Sequence, residues 1–140
     1  LREEDGPRYL PIWIGAAEAT AIATAMEDVE PPRPQTHDLL VMTIEELGAT
    51  MVRVVVSEMR DSVFYADLVL ATADGEVHIS ARPSDSIALA VRTGAPVFAH
   101  PSVLAEAGIE IEDESEEQQI ERFREFLEDV TVEDFLEEGP

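Results

Sequence analysis

One histidine in this sequence stands beside a carboxylate in a pattern suited to acid–base chemistry. His37 is followed directly by Asp38. Imidazole gains and loses a proton near neutral pH, so His37 is a candidate general base or acid, with Asp38 or another carboxylate orienting it. An equally weighted alternative gives His37 a local capping or buried hydrogen-bonding role at a helix start.

Arginines and carboxylates elsewhere in the chain could serve the same site. Arginine binds phosphate through two parallel hydrogen bonds, so a phosphate-binding role is predicted for three arginines: Arg33, Arg82 and Arg92. Oxygen ligands suit magnesium and manganese, so a metal-binding role is predicted for three carboxylates: Glu18, Asp38 and Asp85. Each has a purely structural alternative. Asp85 is suited to cap a helix and to pair with Arg82, and Glu18 could be a solvated first-turn residue.

Helices are predicted to carry these residues. Apolar spacing predicts a helix over 16–29, which contains Glu18. Thr36 is a suitable N-cap for a second helix that ends at Gly48, and it places His37 and Asp38 in the first turn. Ser84 is the predicted N-cap of a third helix, running from 86 to 93 and ending at Gly94. Short helical and extended segments follow to residue 111.

Strands are predicted between and before these helices. The apolar run 8–14 predicts a first strand, with Pro11 at an edge or bulge. The β-branched run 51–56, the segment 64–70 and the alternating segment 76–81 are joined by short turns and predict an antiparallel meander. The sequence therefore predicts an α+β fold, mainly an antiparallel sheet packed with several short helices. Core or oligomer positions are predicted for three aromatic residues, with base stacking as the alternative: Trp13, Phe64 and Tyr65.

Composition limits the class of protein. The chain has 140 residues, no cysteine and a net charge of −22. The lack of cysteine excludes disulfides and thiolate metal sites within this sequence. No apolar run approaches the ~18 residues that span a bilayer and no leader precedes residue 1, so a cytoplasmic protein without a membrane association is expected. The negative charge opposes nucleic-acid binding, which normally draws on cationic groups.

The acidic residues are concentrated near the C-terminus. Residues 106–140 carry 15 acidic and 2 basic side chains, whereas residues 1–105 carry 16 and 7. Segment 112–140 is therefore predicted to be an acidic helical tail, with an apolar stripe that includes Ile120 and Phe123. The stripe is expected to pack on the domain or on a second subunit, and the alternative is a docking site for a protein partner.

Five sequence blocks, in order, resemble the bifunctional nuclease family. They are LPIWIG (10–15), EATAIA (18–23), PPRPQTHDLL (31–40), FYADL (64–68) and ARPSDSIALAVRTGAP (81–96). The resemblance covers residues 1 to about 111, taken as the domain. It implies an α+β fold, nuclease activity on DNA and RNA, and homo-oligomerisation, with a dimer favoured. Within that activity, the expected catalytic residues are His37, Asp38, Arg82 and Asp85. The reaction is expected to be assisted either by Mg²⁺ or Mn²⁺ or by His37 without a cofactor.

The sequence departs from the family pattern at two points. Many members have an aspartate before ARPSD, where this chain has Ser80. A first strand of the domain, ahead of LREEDG, is also expected in the family and is absent from this sequence. No independent nuclease motif, such as a glycine-rich phosphate loop, accompanies the resemblance. A non-catalytic module that binds an anion or a protein is therefore the second hypothesis, and an oligomeric scaffold with an acidic docking tail is the third.

Overall fold

The structure, a computed structural model, describes residues 1–111 and 116–129, with no side chains described at 116 and 126–129. By internal contacts the chain divides into two compact units, Leu1–Ile109 and Glu110–Pro140. Each unit is described by itself. Within the described residues, no helix is both long and apolar enough to cross a membrane.

The described residues contain helices and strands in mixed order, which confirms the predicted α+β fold. The helices are Ala16–Met26 (α1), Thr36–Glu46 (α2), Pro83–Thr93 (α3), Pro101–Ala107 (α4) and Glu116–Asp129 (α5). The strands are Arg8–Tyr9 (β1), Thr50–Arg60 (β2), Val63–Thr72 (β3), Gly75–Ala81 (β4), Val97–Ala99 (β5) and Ile109–Glu110 (β6).

The main sheet has four strands in the order β4-β3-β2-β5. Strands β2, β3 and β4 form the predicted antiparallel meander, and β5 joins β2 in parallel. Between β2 and β3, Asp61 and Ser62 have φ values of 50° and 64°. Two consecutive left-handed residues give the tight turn whose twist suits a hairpin. Strands β1 and β6 form a separate two-stranded sheet.

Helix α3 supplies most of the helical contribution to the core. One face of β2 and β3 buries Val54, Ala66 and Leu68, and these pack against Leu89 and Ala90 of α3. Helices α1 and α2 contain no buried residue. They lie against α3 and cover the sheet only in part, so polar residues in their first turns stay accessible.

The N-terminal segment differs from the prediction. The strand predicted over 8–14 is limited to Arg8–Tyr9. Leu10 donates its N–H to the carbonyl of Leu1 at 2.8 Å, and Pro11 then has no N–H with which to continue a strand. Trp13 is fully exposed, so the predicted core position is wrong for this residue, while an oligomer contact stays a prediction. Phe64 is half-buried against a second cluster around Val56, as predicted.

Three helix boundaries also differ from the predictions. Helix α1 ends at Met26 rather than at 29. The N-cap of α2 is Gln35 rather than Thr36, and the N-cap of α3 is Arg82 rather than Ser84. Proline suits the first helical position because its φ is already fixed and it needs no hydrogen-bond acceptor there, so Pro83 starts α3 earlier than Ser84 would. The predicted ends at Gly48 and Gly94 are confirmed by their positive φ values.

The acidic C-terminal segment contains α5, which confirms a helix over 116–129. Ile120 and Phe123 are three positions apart and therefore share a face of this helix. The predicted packing of the stripe stays a prediction. The remaining apolar side chains of the predicted stripe, Phe126 and Leu127, lie outside the described residues.

Candidate functional site

The first turns of three helices line one open pocket of about 700 Å³. Glu18 is the third residue of α1, His37 is the second of α2, and Asp85 is the third of α3. The N-terminus of a helix carries a partial positive charge and unpaired N–H groups, so it stabilises nearby anions. Three such ends around one pocket favour carboxylates there and would also favour a bound anionic group.

His37 and Asp85 form a hydrogen-bonded pair between α2 and α3. Their Nε2 and Oδ1 atoms are 3.0 Å apart, and the side chains are 18% and 31% exposed. An ionised carboxylate can only accept a hydrogen bond, so neutral His37 must carry its proton on Nε2. Its Nδ1 is then unprotonated and can accept a proton. No partner for Nδ1 is found in the part of the chain that the structure describes.

Arg82 connects Asp85 to Glu18. As the N-cap of α3, it donates from Nε to Oδ2 of Asp85 at 2.8 Å and from Nη1 to Oε1 of Glu18 at 3.2 Å. Its side chain is nevertheless 65% exposed. Within residues 1–111 and 116–129, no hydrogen-bond acceptor lies at its remaining nitrogen, Nη2. Arg82 therefore keeps a donor available to solvent or to a ligand.

The hydrogen bond from Arg82 favours the ionised form of Asp85. It is the main cause that lowers the pKa of Asp85 below its usual value, and the contact with His37 acts in the same direction against the opposing effect of burial. Asp85 is therefore ionised at neutral pH. An ionised Asp85 both fixes the tautomer of His37 and stabilises the imidazolium that forms when His37 accepts a proton.

Asp38 belongs to a different interaction. Arg92 donates from Nε to Oδ1 of Asp38 at 2.7 Å and from Nη1 to the carbonyls of Ala21 and Ala88 at 3.1 and 2.8 Å. The Arg92 side chain is only 10% exposed. These bonds join α1, α2 and α3, and the bond from Arg92 lowers the pKa of Asp38. Asp38 also accepts a hydrogen bond from the N–H of Gln35 at 2.9 Å, which stabilises the start of α2.

The structure brings some of the sequence-predicted site residues together and leaves others apart. His37, Asp85, Arg82 and Glu18 line the same pocket. Asp38 and Arg92 line a neighbouring depression instead. Arg33 is exposed in the segment before α2, outside this pocket lining, and makes no ion pair with any residue that the structure describes.

The predicted metal ligands do not form a set in this arrangement. Glu18 and Asp85 are both bonded to Arg82, and Asp38 is bonded to Arg92. Among the described residues, no three His, Asp or Glu side chains are grouped so that they could hold a metal ion. The carboxylates as placed therefore fit arginine partners better than a divalent cation.

Several residues of the site were not among the predicted functional residues. Gln35 and Ser80 line the pocket, together with apolar side chains of the sheet and of α2 and α3, among them Leu40, Leu68 and Ile79. Ser80 occupies the position at which the family resemblance implies an aspartate, and that departure was the sequence signal for it. The apolar lining had no such signal, because alternating apolar residues in a strand predict burial in the core.

A second groove adjoins the pocket. It measures about 370 Å³, and its lining includes Trp13, Val63 and Ser84. Glu18 and Arg82 line both the groove and the pocket that contains His37. The Glu18–Arg82 ion pair therefore lies between the two depressions.

Comparison with known proteins identifies a family and relatives. Residues 1–112 match the model of the bifunctional nuclease domain. An uncharacterized protein of Mycobacterium tuberculosis strain H37Rv is 47% identical over 143 residues, which cover 96% of this chain and 85% of the relative. A rice protein from Oryza sativa subsp. indica, named bifunctional nuclease 1, is 25% identical over 115 residues. That match covers 79% of this chain and 35% of the rice protein.

Proposed function

Because the chain belongs to the bifunctional nuclease family, we propose that it is a nuclease that hydrolyses phosphodiester bonds of DNA and RNA with little sequence preference. The observation that carries this proposal is the continuous set of hydrogen bonds from His37 through Asp85 to Arg82. It combines a proton acceptor, an ionised carboxylate that orients it, and an exposed cation beside them. These are the groups that hydrolysis of a phosphodiester requires.

His37 acts as the general base in this proposal. Nδ1 removes a proton from a water molecule as the water oxygen attacks phosphorus. Asp85 accepts the hydrogen bond from Nε2–H of His37 and stabilises the imidazolium that results. When the bond between phosphorus and the leaving oxygen breaks, the proton on Nδ1 passes to that oxygen. His37 then returns to its neutral form, with the proton on Nε2.

Arg82 binds the phosphate. Negative charge grows on the phosphoryl oxygens as the water attacks, and a guanidinium group placed there stabilises that charge. Nη2 is free of a hydrogen-bond partner within the described residues and the side chain is largely exposed, so a phosphate can approach without breaking the bond to Asp85. Glu18 holds the guanidinium from the other side and restricts its orientation.

The net charge of the chain affects the affinity for nucleic acid more than the rate of the hydrolysis step. At −22 overall, the chain repels a nucleic acid at long range. Salt screens that repulsion over about 10 Å at 0.1 M ionic strength, so the site interacts with substrate mainly through short-range contacts. We therefore expect weak binding whose affinity falls little, or even rises, as salt is added.

The test is hydrolysis of fluorescent single-stranded DNA and RNA by purified protein. The His37→Ala variant is compared with His78→Ala, since His78 is an exposed histidine of β4 outside the pocket lining. Loss of the proton acceptor is expected to slow hydrolysis by about 100- to 10,000-fold in His37→Ala, and His78→Ala is expected to match the wild type. Equal rates in all three folded proteins would mean that His37 is not the base.

The same assay tests the predicted divalent cation. Reactions with Mg²⁺, Mn²⁺ or EDTA are run in parallel on the wild type. The proton transfers proposed above involve only side chains and water, so activity that persists in EDTA supports them as written. Strict dependence on Mg²⁺ or Mn²⁺ would instead mean that the carboxylates leave their arginine partners to bind an ion, and the catalytic role of Arg82 would then have to be reassigned.

A module that binds an anion without cleaving it is the second candidate. The observation in its favour is that Ser80 lines the pocket, at a position where the family resemblance implies a carboxylate. If that carboxylate contributes to cleavage in relatives, this chain lacks its charge. An inactive wild type that still binds labelled oligonucleotide, with binding lost in Arg82→Ala, would support this candidate over the nuclease.

A further inference from the structure

Trp13 is held in an exposed position by the residues on both sides of it. Leu10 is 1% exposed and hydrogen-bonded to the N-terminal residue, and α1 begins at Ala16. Between these fixed points Ile12 packs against the core, whereas the side chain of Trp13 is fully exposed. A fully exposed tryptophan leaves a large apolar surface in water, and such residues are enriched at binding sites.

The groove beside Trp13 adjoins the candidate active site. Arg82 lines both, so a ligand that contacts its guanidinium from the groove is next to the His37–Asp85 pair. The lining of the groove combines Trp13 and the exposed side chain of Val63 with this cation. An aromatic platform next to an arginine matches a nucleotide, which has a flat apolar base and an anionic phosphate.

From this arrangement we propose that the groove is a base-binding subsite for single-stranded nucleic acid, in which one unpaired base stacks on Trp13 while its phosphate contacts Arg82. The inference rests on the proposed nuclease function for the role of Arg82. It adds a preference for single-stranded over double-stranded nucleic acid. A base inside a duplex is already stacked on both faces, so it cannot lie on Trp13 unless the duplex opens. Every base has a flat face, so the subsite does not select sequence.

A second copy of this chain is the other occupant that an exposed tryptophan could have. The cation in the groove lining favours the nucleotide, because a phosphate can accept a hydrogen bond from Nη2 of Arg82 and an apolar surface from another copy cannot. Two chains of net charge −22 also repel each other at low salt. Self-association is distinguished from base binding in the test below.

The sequence has one tryptophan and two tyrosines, so fluorescence excited beyond the tyrosine absorption band reports on Trp13 alone. The wild type is titrated with a short phosphorothioate-linked single-stranded oligonucleotide, which resists cleavage. Two controls are a duplex of the same sequence and a strand of the same backbone with abasic sites. Saturable quenching is expected with the single strand, and little with either control. Equal quenching by the abasic strand would overturn the proposal.

Three variants separate stacking from simple apolar contact, with affinity measured by anisotropy of the labelled strand. Loss of one stacked base in Trp13→Ala is expected to weaken binding roughly 5- to 150-fold. Trp13→Phe keeps an aromatic face and should retain most of the affinity, whereas Trp13→Leu keeps apolar area without that face and should resemble Trp13→Ala. Wild-type affinity in Trp13→Ala, or in Trp13→Leu, would overturn the proposal.

Its failure can be told from failure of the nuclease proposal. If the wild type does not hydrolyse nucleic acid but its fluorescence is quenched by single strands, only the nuclease proposal fails. If hydrolysis depends on His37 but is the same for single strands in Trp13→Ala, only the base subsite fails. Fluorescence that changes with protein concentration and not with added strand would assign Trp13 to contact between copies and overturn the base subsite.

Discussion

The two arginines at the ends of α3 show how similar ion pairs can have different consequences. Arg82 precedes the helix, pairs with Asp85 and is 65% exposed. Arg92 lies in the last turn, pairs with Asp38 and is 10% exposed. Arg82 keeps a nitrogen without a described partner, whereas Arg92 also bonds two backbone carbonyls. Accessibility separates an arginine that can bind a ligand from one that stabilises the fold.

The same contrast holds for two neighbours in α2. His37 and Asp38 are adjacent in the first turn, yet His37 contacts Asp85 and Asp38 contacts Arg92. Successive helical residues are about 100° apart around the axis, so adjacent side chains point to different neighbours. The Asp38–Arg92 pair therefore holds the turn that carries His37 without belonging to the pocket.

Of the two arginines, the exposed one should have by far the larger effect on hydrolysis. In Arg82→Ala, kcat/KM is expected to fall by about 100- to 1000-fold because charge on the phosphoryl oxygens is no longer stabilised. The melting temperature should change little, since the lost ion pairs are exposed to solvent. Arg82→Lys retains the charge but not the planar arrangement of donors and is expected to recover only part of the rate. A wild-type rate of hydrolysis in Arg82→Ala would mean that the exposed arginine does not act on the substrate.

Removing the buried arginine should lower the stability of the fold more than removing the exposed one. Arg92→Ala leaves Asp38 without its cation and removes the side-chain donor that links the helix carbonyls of Ala21 and Ala88. The expected cost is roughly 3 kcal/mol in the free energy of unfolding. Urea unfolding of the wild type, Arg92→Ala and Arg92→Lys measures this cost. Lysine can restore the charge but not all three hydrogen bonds of Arg92. The free energy of unfolding of Arg92→Lys is therefore expected to lie between those of the wild type and Arg92→Ala. Unchanged stability in Arg92→Ala would mean that these bonds do not hold the helices together.

Acid should reveal the contribution of Asp38 to stability. Its pKa is lowered in the folded protein, mainly by Arg92, so its contribution is complete above the unfolded value of about 3.9 and is lost as the pH falls through the folded value. Between pH 5 and pH 3, the wild type is expected to lose more unfolding free energy than Asp38→Asn, which has no carboxylate to protonate there. Parallel losses in the two proteins would mean that Arg92 does not stabilise the charged form.

The smallest effect is expected for an ion pair on the exposed sheet surface. Arg53 and Glu76 are joined by a bond of 2.9 Å, and their side chains are 32% and 48% exposed. Glu76→Gln should leave both the melting temperature and the hydrolysis rate within experimental error, because solvent screens exposed ion pairs. It serves as the matched control for the two arginine variants. A large drop in melting temperature or hydrolysis rate in Glu76→Gln would mean that the exposure of an ion pair does not predict its contribution to stability or activity.

Local sequence patterns were sufficient to predict the elements of the main sheet and the third helix. A β-branched run predicted β2, the turns on either side of β3 predicted the meander, and alternating apolar residues predicted β4. Gly94 predicted the end of α3. The first helical turns were less predictable, since Pro83 and Gln35 moved two caps by one or two positions. The exposure of Trp13 was not predicted, because the apolar run over 8–14 suggested a strand with core positions. In the structure the strand ends at Tyr9, and Leu10 bonds to Leu1 instead.

The candidate site was predictable as a set of residues but not as an arrangement. His37, Arg82 and Asp85 were among the predicted catalytic residues, and the structure brings them together with Glu18. The partners of Asp38 and Arg92 could not be predicted, because residues 54 positions apart meet only through the packing of α2 on α3. Sequence spacing alone does not distinguish a carboxylate that faces a pocket from one that faces a buried arginine.

The most direct test of the central claim is a double-variant cycle on His37 and Asp85, with the rate of hydrolysis of single-stranded DNA as the readout. If Asp85 acts by orienting His37, the combined His37→Ala, Asp85→Asn protein should be no slower than His37→Ala alone. Melting temperatures within a few degrees of the wild type would show that all variants are folded. Losses that multiply in the combined variant, or wild-type rates in either folded single variant, would contradict a catalytic pair at this site.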